Sequence, residues 1–401
     1  MDREMAQKRN PNLTLVEPPD MERRKKKKRR HARGRLKKAA AAAFLVFMVL
    51  AGTYLLLTNH LYHTVYETAS YKRETSNNNR YVAFRNGIVR YSKNGVTYLN
   101  RRNEVLWIQP AQFQNPMIDI SDGTFAVADL SGNSVQVFTE DGLKGEFETN
   151  LPIEKFSISN QGIVSAILKN EKSPMVVTYD STGNILVENQ VVTGSMGYPT
   201  ALDMSPDGNV LMVSYLDMRS GVLKSRVAGY NFSEEGAEKE NHQVSLEEYE
   251  DSVMPEVFFM DGYTSVAVGD HSFVISEGWA VPEKKKEVRI PQEIKSSFHT
   301  DRYIGFVLLN EEKSGYELRL YDKAGKQVMN RAIAGEYGNV QMVGNEIILY
   351  EGDRCSIYTS TGMPRFDGSL KEDVLMMIPT EGINQYLVMS TDELRVIYLA
   401  G

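Results

Sequence analysis

Two pairs of aspartates have a spacing that could support chemistry. Asp119 and Asp122 lie three positions apart, and Asp203 and Asp207 lie four positions apart. Paired carboxylates can hold a calcium ion or divide the roles of general acid and general base. Each pair, however, joins the end of an apolar segment to the polar turn after it, where aspartate commonly accepts backbone hydrogen bonds. We therefore expect both pairs to stabilise turns rather than to bind a cation.

Other signatures of catalysis are absent from the sequence. The six histidines show no HExxH or similar metal-ligand spacing; they are His31, His60, His63, His242, His271 and His299. A GxSxG elbow, a Walker loop and a Rossmann fingerprint are also absent. The single cysteine, Cys355, excludes an intrachain disulfide, and we expect it to be a small buried residue. These observations favour a protein without a cofactor, a metal site or catalytic residues.

Large apolar side chains in or beside predicted turns are the remaining candidates for a functional surface. We select Tyr198, Tyr215, Met218 and Trp279 as candidate partner-binding residues, from a wider set that also contains Trp107 and Tyr263. Aromatic residues in strands more often belong to the core. The loop settings of Tyr198 and Trp279 favour their exposure.

The element that determines where these residues act is an uncharged segment near the N-terminus. Residues 39–57 read AAAAAFLVFMVLAGTYLLL, and twelve Lys and Arg residues lie just before them, between Arg23 and Lys38. At ~1.5 Å per residue, such a helix approaches the ~30 Å hydrocarbon core of a bilayer. We predict a transmembrane helix over residues 39–60. The basic excess predicts that residues 1–38 form a disordered cytoplasmic tail and that the remainder lies outside.

Two other interpretations of the N-terminus stay open. A cleaved secretory signal also has a basic segment before an apolar core, and Val49, Leu50 and Ala51 form an acceptable cleavage site. We favour an uncleaved span, because 38 residues precede the apolar core and because apolar character continues to Leu57. A basic nucleic-acid patch is the other interpretation, but orientation in the membrane and attraction to anionic lipid already explain a basic run beside a span.

Charge is divided unevenly along the chain. Residues 1–38 hold fifteen Lys and Arg and five Asp and Glu, a net charge of +10, so the whole-chain value of −6 leaves −16 for the remainder. Phosphate binding requires a basic surface. The acidic exterior part is therefore not expected to bind nucleic acid.

From residue 79 onward a repeat predicts the fold. A strand that ends in an aromatic residue and a glycine turn recurs four times: Phe138 to Gly142, Tyr179 to Gly183, Tyr321 to Gly325 and Tyr358 to Gly362. Weaker copies bring the count to eight, spaced by 37 to 51 residues. Short strands in units of about 40 residues are typical of a propeller. We predict an all-β, eight-bladed β-propeller over residues 79–401, with seven blades as the alternative.

The last unit ends at Gly401 before its fourth strand. An incomplete blade would leave an unpaired edge. We therefore expect residues 61–78 to form a stalk that supplies the closing strand, within residues 63–74. In the seven-bladed alternative, Tyr81 to Phe84 would be the closing strand.

Several segments of the exterior part resemble one family. They are NGIVRYSKNGVTYLN, NPMIDISDGTFAVADLSGNSVQVF, EDGLKGEFETNLPIEKFSISNQGIV, GYPTALDMSPDGNVLMVSYL and GVLKSRVAGYNF. The resemblance is to clostridial membrane proteins grouped as domain of unknown function 5711, and it covers roughly Tyr81 to Tyr398. It implies a short basic tail, one span and an outward propeller. It implies no activity and no catalytic residues.

Together these expectations favour a non-enzymatic binding or scaffolding module of the cell envelope. It would be anchored in a Gram-positive-type cytoplasmic membrane, N-terminus inside, and would contact an envelope protein, peptide or glycan. Propellers usually bind at the loops around the channel mouth. The alternative is a propeller enzyme, such as a hydrolase, lyase or quinone-dependent dehydrogenase, with a metal or cofactor in the central channel.

Overall fold

The protein is described from a computed structural model. This structure describes residues 21–58, 60–72, 79–170, 173–190, 195–218, 221–250, 252–310, 315–335 and 337–401. The chain divides into two compact units, one that ends at Asn59 and one that extends from His60 to Gly401.

The N-terminal unit contains one long helix, α1 (Met21–Thr58). Within it, Lys37–Leu55 is long and apolar enough to cross a membrane, with a mean hydropathy of 1.8. The helix begins at Met21 rather than at Ala39, so residues 21–38 are helical where we expected disorder. The physical reason is that Lys, Arg and Ala are strong helix formers, so the basic run continues the helix of the apolar segment. Residues 1–20 of the tail lie outside the described residues.

The second unit is an eight-bladed β-propeller, as the sequence predicted. Its described residues form eight four-stranded antiparallel sheets, each of which is one blade. The first strands of blades 2 to 5, of blades 6 and 7 and of blades 8 and 1 contact their neighbours around the central channel. The fourth strand of each blade is therefore outermost.

The strands follow in chain order. Blade 1 contains β2 (Arg80–Phe84), β3 (Gly87–Ser92), β4 (Gly95–Asn100) and β5 (Val105–Pro110), and blade 2 contains β6 (Pro116–Ile120), β7 (Phe125–Asp129), β8 (Ser134–Thr139) and β9 (Gly142–Glu148). Blade 3 contains β10 (Ile153–Ile158), β11 (Val164–Leu168), β12 (Met175–Tyr179) and β13 (Ile185–Gln190). Blade 4 contains β14 (Tyr198–Met204), β15 (Val210–Asp217), β16 (Lys224–Asn231) and β17 (Gln243–Glu250). The short helix α2 (Glu234–Ala237) and a 3-10 turn (Glu240–His242) lie between β16 and β17.

The remaining blades are built in the same way. Blade 5 contains β18 (Glu256–Phe259), β19 (Thr264–Val268), β20 (Ser272–Glu277) and β21 (Glu283–Arg289), and blade 6 contains β22 (Ile294–His299), β23 (Tyr303–Asn310), β24 (Gly315–Asp322) and β25 (Gln327–Ile333). Blade 7 contains β26 (Asn339–Val343), β27 (Glu346–Glu351), β28 (Arg354–Thr359) and β29 (Pro364–Ser369). Blade 8 contains β30 (Met376–Pro379), β31 (Gln385–Met389), β32 (Glu393–Ala400) and, as its fourth strand, β1 (Thr64–Lys72).

Two of the repeated turns share one geometry. In blade 3 the Asp180 carboxylate accepts the backbone N–H groups of Thr182 and Asn184, and Gly183 has a φ of 90°. Asp322 makes the equivalent bonds in blade 6, where Gly325 has a φ of 68°. Only glycine adopts such positive φ values readily. The recurring glycine is thus explained by the turn between the third and fourth strands.

The core is divided among the blade junctions. The described residues form eight apolar clusters between neighbouring blades, one at each junction. Between blades 1 and 2, Trp107 stacks on Phe138 with a centroid distance of 5.4 Å. Between blades 8 and 1, Ile88 packs in the same cluster as Leu387. Each blade thus buries its faces only against its neighbours, and its packing depends on a closed ring.

The ring is closed by the segment that follows α1. Strand β1 pairs antiparallel with β32, from Thr64 opposite Ala400 to Lys72 opposite Glu393, with one irregularity between Glu67 and Ala69. The closing strand therefore lies within residues 63–74, as the strand count predicts. The seven-bladed alternative is wrong, because Arg80–Phe84 is the first strand of blade 1.

Tyr62 anchors this segment just before β1. Its side chain is 5 % exposed and lies in the cluster between blades 7 and 8. The Tyr62 N–H donates to the Arg365 carbonyl at 2.7 Å, and the Asn384 amide donates to the Tyr62 hydroxyl at 2.6 Å. His60 Nε2 lies 2.7 Å from the carbonyl oxygen of Gly401. Side-chain burial and backbone pairing therefore both hold the two ends of the ring together.

Replacing Tyr62 with alanine should lower the free energy of unfolding by about 3 kcal/mol, because truncating a buried aromatic side chain leaves a cavity. Tyr66→Ala is the matched control, since Tyr66 lies on the same segment but is 58 % exposed. We expect it to change stability by no more than about 0.5 kcal/mol. Urea unfolding followed by circular dichroism measures both values. Equal losses from the two substitutions would contradict an anchoring role for Tyr62.

Candidate functional site

The ring has two faces, which we name by the turns they carry. The upper face carries the turns between the first and second strands and between the third and fourth strands of each blade. The lower face carries the turns between the second and third strands and the connections between blades. This division follows from the antiparallel order of each sheet. Loops on either face of a propeller are the usual places for binding.

Acidic side chains lie on the channel wall in two of the first strands. Asp119 and Asp203, on β6 and β14, are joined through Ser157 of the intervening strand β10. The Ser157 hydroxyl donates to Asp203 Oδ1 at 2.6 Å, and Asp119 Oδ2 accepts a backbone N–H from β10 at 2.8 Å. The structure thus groups one aspartate from each sequence pair, rather than the two members of either pair.

The same strand position carries an acceptor in three successive blades. Asp119, Ser157 and Asp203 are each the next-to-last residue of a first strand, and each accepts the N–H of the last residue in the next first strand. The donors are Ile158, Met204 and Phe259, at 2.8, 3.1 and 2.6 Å. In blades 5 and 6 this position is apolar, with Phe258 and Phe298. The polar side chains therefore link blades 2 to 5 along the channel.

Both carboxylates hold their protons more tightly than usual. Burial raises the pKa of Asp119 to about 6. Burial, followed by the negative charge of Asp119, raises the pKa of Asp203 to about 7. Hydrogen bonds from Ser157 and from backbone N–H groups act in the opposite direction but are the weaker effect. The pair is therefore poised to change charge near neutral pH.

The turn aspartates have separate roles. Asp207 accepts hydrogen bonds from Ser205 and Asn209 within its own turn, as expected for a turn-stabilising residue. The carbonyl oxygen of Asp122 accepts a bond from Arg85 of blade 1. Among the described residues, no group of three or more His, Cys, Asp and Glu side chains is placed to hold a metal ion.

An apolar patch lies on the lower face of blade 4. It consists of Tyr198, Met218, Val222 and Leu223, which are 42, 64, 47 and 45 % exposed. Tyr198 begins β14, Met218 follows β15, and the two aliphatic residues precede β16. We call these four residues the lower-face patch.

The strands and turns that carry this patch are held together by ion pairs and hydrogen bonds. Arg226 of β16 bonds to Asp217 at 3.1 Å, to Glu248 at 2.6 Å and to the Met196 carbonyl at 3.2 Å. The Tyr198 hydroxyl donates to Glu154 of blade 3, and burial together with this bond raises the pKa of Tyr198 to about 12. The Tyr198 side chain is therefore held in place at its hydroxyl while much of it stays exposed. Polar and charged side chains surround an apolar centre.

The other aromatic candidates lie elsewhere. Trp279 is 64 % exposed on the upper face of blade 5, with its ring 5.7 Å from that of Tyr263. Tyr215 is 1 % exposed, and its hydroxyl lies 2.7 Å from that of Tyr230. Its selection as a binding residue is therefore corrected, because its side chain fills the core between blades 3 and 4. Trp107 belongs to a core stack in the same way.

The structure thus brings together two of the four selected residues, Tyr198 and Met218, and separates Trp279 from them. The sequence analysis missed Val222 and Leu223. Their signal was an apolar pair directly after a glycine turn, at Gly221. Cys355 is buried in the cluster between blades 7 and 8, and burial raises the pKa of its thiol.

Comparisons with known proteins support the fold. The sequence profile of a family of unknown function, DUF5711, matches residues 58–399, which confirms the resemblance seen in the sequence. No curated protein matches the chain. Among solved structures, Sqt1 of Saccharomyces cerevisiae is similar with a TM-score of 0.55 and 10 % identity, over 84 % of this chain and 99 % of that one.

Two bacterial structures are also similar. Apo AztD from Citrobacter koseri has a TM-score of 0.52 and 8 % identity, over 74 % of this chain and 87 % of that one. BamB from Moraxella catarrhalis has a TM-score of 0.49 and 11 % identity, over 84 % of this chain and 100 % of that one. At such low identity the likeness to Sqt1 and AztD establishes the fold alone.

The raised pKa values predict how stability depends on pH. In the unfolded chain both aspartates ionise near their ordinary pKa of 3.8, whereas in the folded ring they keep protons up to about pH 6 and 7. Between these limits the folded chain binds more protons than the unfolded chain. The contribution of the pair to the free energy of unfolding therefore falls as pH rises from about 4 to about 7.

Asp203→Asn removes this penalty, because the amide stays neutral and can still accept the Phe259 N–H and donate to Ser157. We expect the variant to be about 2 kcal/mol more stable than the natural protein at pH 8 and little different at pH 4. Asp301→Asn, at an exposed turn, is the control and should not alter the pH profile. Urea unfolding at a series of pH values tests the prediction. Parallel profiles for the natural protein and Asp203→Asn would refute it.

Proposed function

This chain belongs to the DUF5711 family of unknown function, and we propose that it is a membrane-anchored binding or scaffolding module whose propeller holds a cell-envelope protein. The observation that carries the proposal is the lower-face patch. Four large apolar side chains are exposed together there, on a frame that is fixed by Arg226 and by the Tyr198–Glu154 hydrogen bond. Clustered exposed apolar residues with a polar rim are characteristic of protein interaction sites.

The chemistry of the patch favours a protein partner over a glycan or a hydrophilic peptide. Interface centres are enriched in Tyr and Met and depleted of charge, and their rims are polar. Here Tyr198 and Met218 form the centre, while Glu154, Lys224 and Glu248 are polar neighbours. A rigid ring limits the conformational entropy that is lost on binding.

We further propose that α1 holds the propeller on the outer side of a Gram-positive-type cytoplasmic membrane, with the N-terminus inside. The support is the apolar stretch Lys37–Leu55 and the twelve Lys and Arg residues between Arg23 and Lys38. A basic excess beside a span is retained in the cytoplasm.

The enzyme alternative has one observation in its favour, the raised pKa values of Asp119 and Asp203. Their carboxylate oxygens, however, already accept hydrogen bonds that join blades 2 to 5. We infer that these residues serve the ring, and we therefore favour binding over catalysis.

The proposed topology predicts the outcome of protease treatment. Proteinase K added to cells stripped of their wall should degrade the chain beyond His60 and leave an N-terminal fragment in the membrane fraction. A cytoplasmic enzyme that stays intact serves as the control for lysis. Full protection of the propeller would contradict the topology, and release of the whole propeller without its anchor before treatment would indicate a cleaved signal instead.

The proposed binding surface predicts which substitutions release the partner. The double substitution Tyr198→Ser with Met218→Ser should reduce the amount of crosslinked envelope protein at least tenfold, because central interface residues contribute about 1 to 4 kcal/mol each. The matched control is Tyr263→Ser with Trp279→Ser on the upper face. Quantitative mass spectrometry of crosslinked membranes measures both. Identical partners and amounts with the two double variants would exclude the lower-face patch.

A further inference from the structure

A cavity of about 420 Å³ opens on the upper face at the junction of blades 8 and 1. Its walls come from the turn after β30 in blade 8 and from two turns of blade 1. The lining residues are Asn86, Asn100, Arg101, Arg102, Thr380, Glu381, Gly382 and Gln385. Cavities of this volume fall in the range that accommodates small ligands.

Two other junctions have an ion pair at this position. Between blades 5 and 6, Asp261 on the first turn of one blade forms an ion pair with Lys323 on the last turn of the next. Between blades 1 and 2, Arg85 and Glu140 are paired across the equivalent turns at 3.7 Å. At these two junctions a charge on one blade is thus neutralised directly by the following blade.

The junction of blades 8 and 1 has opposite charges on the same two turns, but the described residues form no ion pair there. Glu381 lies on the first turn of blade 8, and Arg101 and Arg102 lie on the last turn of blade 1. No ion pair between described residues joins them, and the cavity lies between the two turns. The lining therefore carries a net positive charge, and no acidic side chain among the described residues forms an ion pair with its guanidinium groups.

Arg101 also has an unsatisfied donor. Its Nε is buried and finds no acceptor among the described residues. Because Nε is shielded, the terminal N–H groups of Arg101 are the donors available to the cavity. A guanidinium is suited to a planar oxyanion, to which it can donate two parallel hydrogen bonds.

The turn that carries the arginines is fixed before any ligand binds. Asn100 Oδ1 accepts the N–H groups of Arg102 and Glu104 at 2.9 and 3.0 Å, and Asn100 Nδ2 donates to Glu104 at 2.6 Å. On the other wall, Thr380 donates to the side chain of Gln385 at 2.8 Å. A rigid site of this kind loses little entropy on binding.

We propose that this cavity binds a small hydroxylated molecule through one oxyanion, a carboxylate or a phosphate. Arg101 and Arg102 hold the oxyanion, and the amide groups of Asn86 and Gln385 bind hydroxyl groups. Glu381 limits the negative charge that the cavity accepts. The site is independent of the lower-face patch and of the protein partner proposed for it.

Titration calorimetry on the full chain in a neutral detergent tests the site. The probes are glucuronate, glucose as its uncharged counterpart, and inorganic phosphate. We expect glucuronate or phosphate to bind and glucose to bind at least tenfold more weakly. Binding of glucuronate assigns the oxyanion as a carboxylate, and binding of phosphate alone assigns it as a phosphate. Absence of binding by both anions at 10 mM (roughly the weakest affinity that calorimetry resolves) would overturn the proposal.

Three variants separate recognition from structure. Arg101→Gln should weaken binding of the anion at least tenfold, whereas Arg302→Gln, at an exposed turn of blade 6, should leave it unchanged. Glu381→Gln should strengthen binding severalfold, because it removes a like charge, and a variant that merely misfolded could not do so. Equal affinity of Arg101→Gln and the natural protein, or weaker binding by Glu381→Gln, would overturn the assignment.

Discussion

The pairing of Thr64–Lys72 with Glu393–Ala400 is the constraint on which the rest of the structure depends. Every apolar cluster lies between two blades, so each blade is stable only while both neighbours stay in place. The cost of bringing distant chain ends together rises only slowly with chain length. Backbone hydrogen bonds along β1 and the burial of Tyr62 offset it. The segment after α1 is therefore part of the propeller and is not a simple tether.

The junctions between blades are not all linked in the same way. Blades 2 to 5 are linked along the channel by Asp119, Ser157 and Asp203, and the junctions of blades 1 and 2 and of blades 5 and 6 are linked by ion pairs on the upper face. The regular pattern changes in blade 4, where exposed apolar residues form the lower-face patch, and at the junction of blades 8 and 1, where opposite charges stay apart. Departures from a local rule often mark functional sites. Both of our proposals lie at such departures.

The sequence predicted the fold because each blade carries its own local signals. Turn glycines such as Gly183 and aromatic strand ends recur at near-regular intervals, and a count of strands locates the closing segment before residue 79. Relations between blades were not predictable in the same way. Asp119 and Asp203 meet only because three first strands lie side by side, and Tyr215 could not be assigned to the core because its strand is apolar on both faces. The charges of Arg101 and Glu381 face the same cavity only in the closed ring.

The most direct test of closure compares two soluble fragments, one that begins at His60 and one that begins at Asn79. The account predicts that the longer fragment is monomeric and melts at a clearly higher temperature, because β1 covers the edge of β32. The shorter fragment exposes that edge and should self-associate, since an unpaired strand invites pairing with another chain. Gel filtration and thermal unfolding measure both properties. Equal melting temperatures and equal monomer fractions would contradict the central claim.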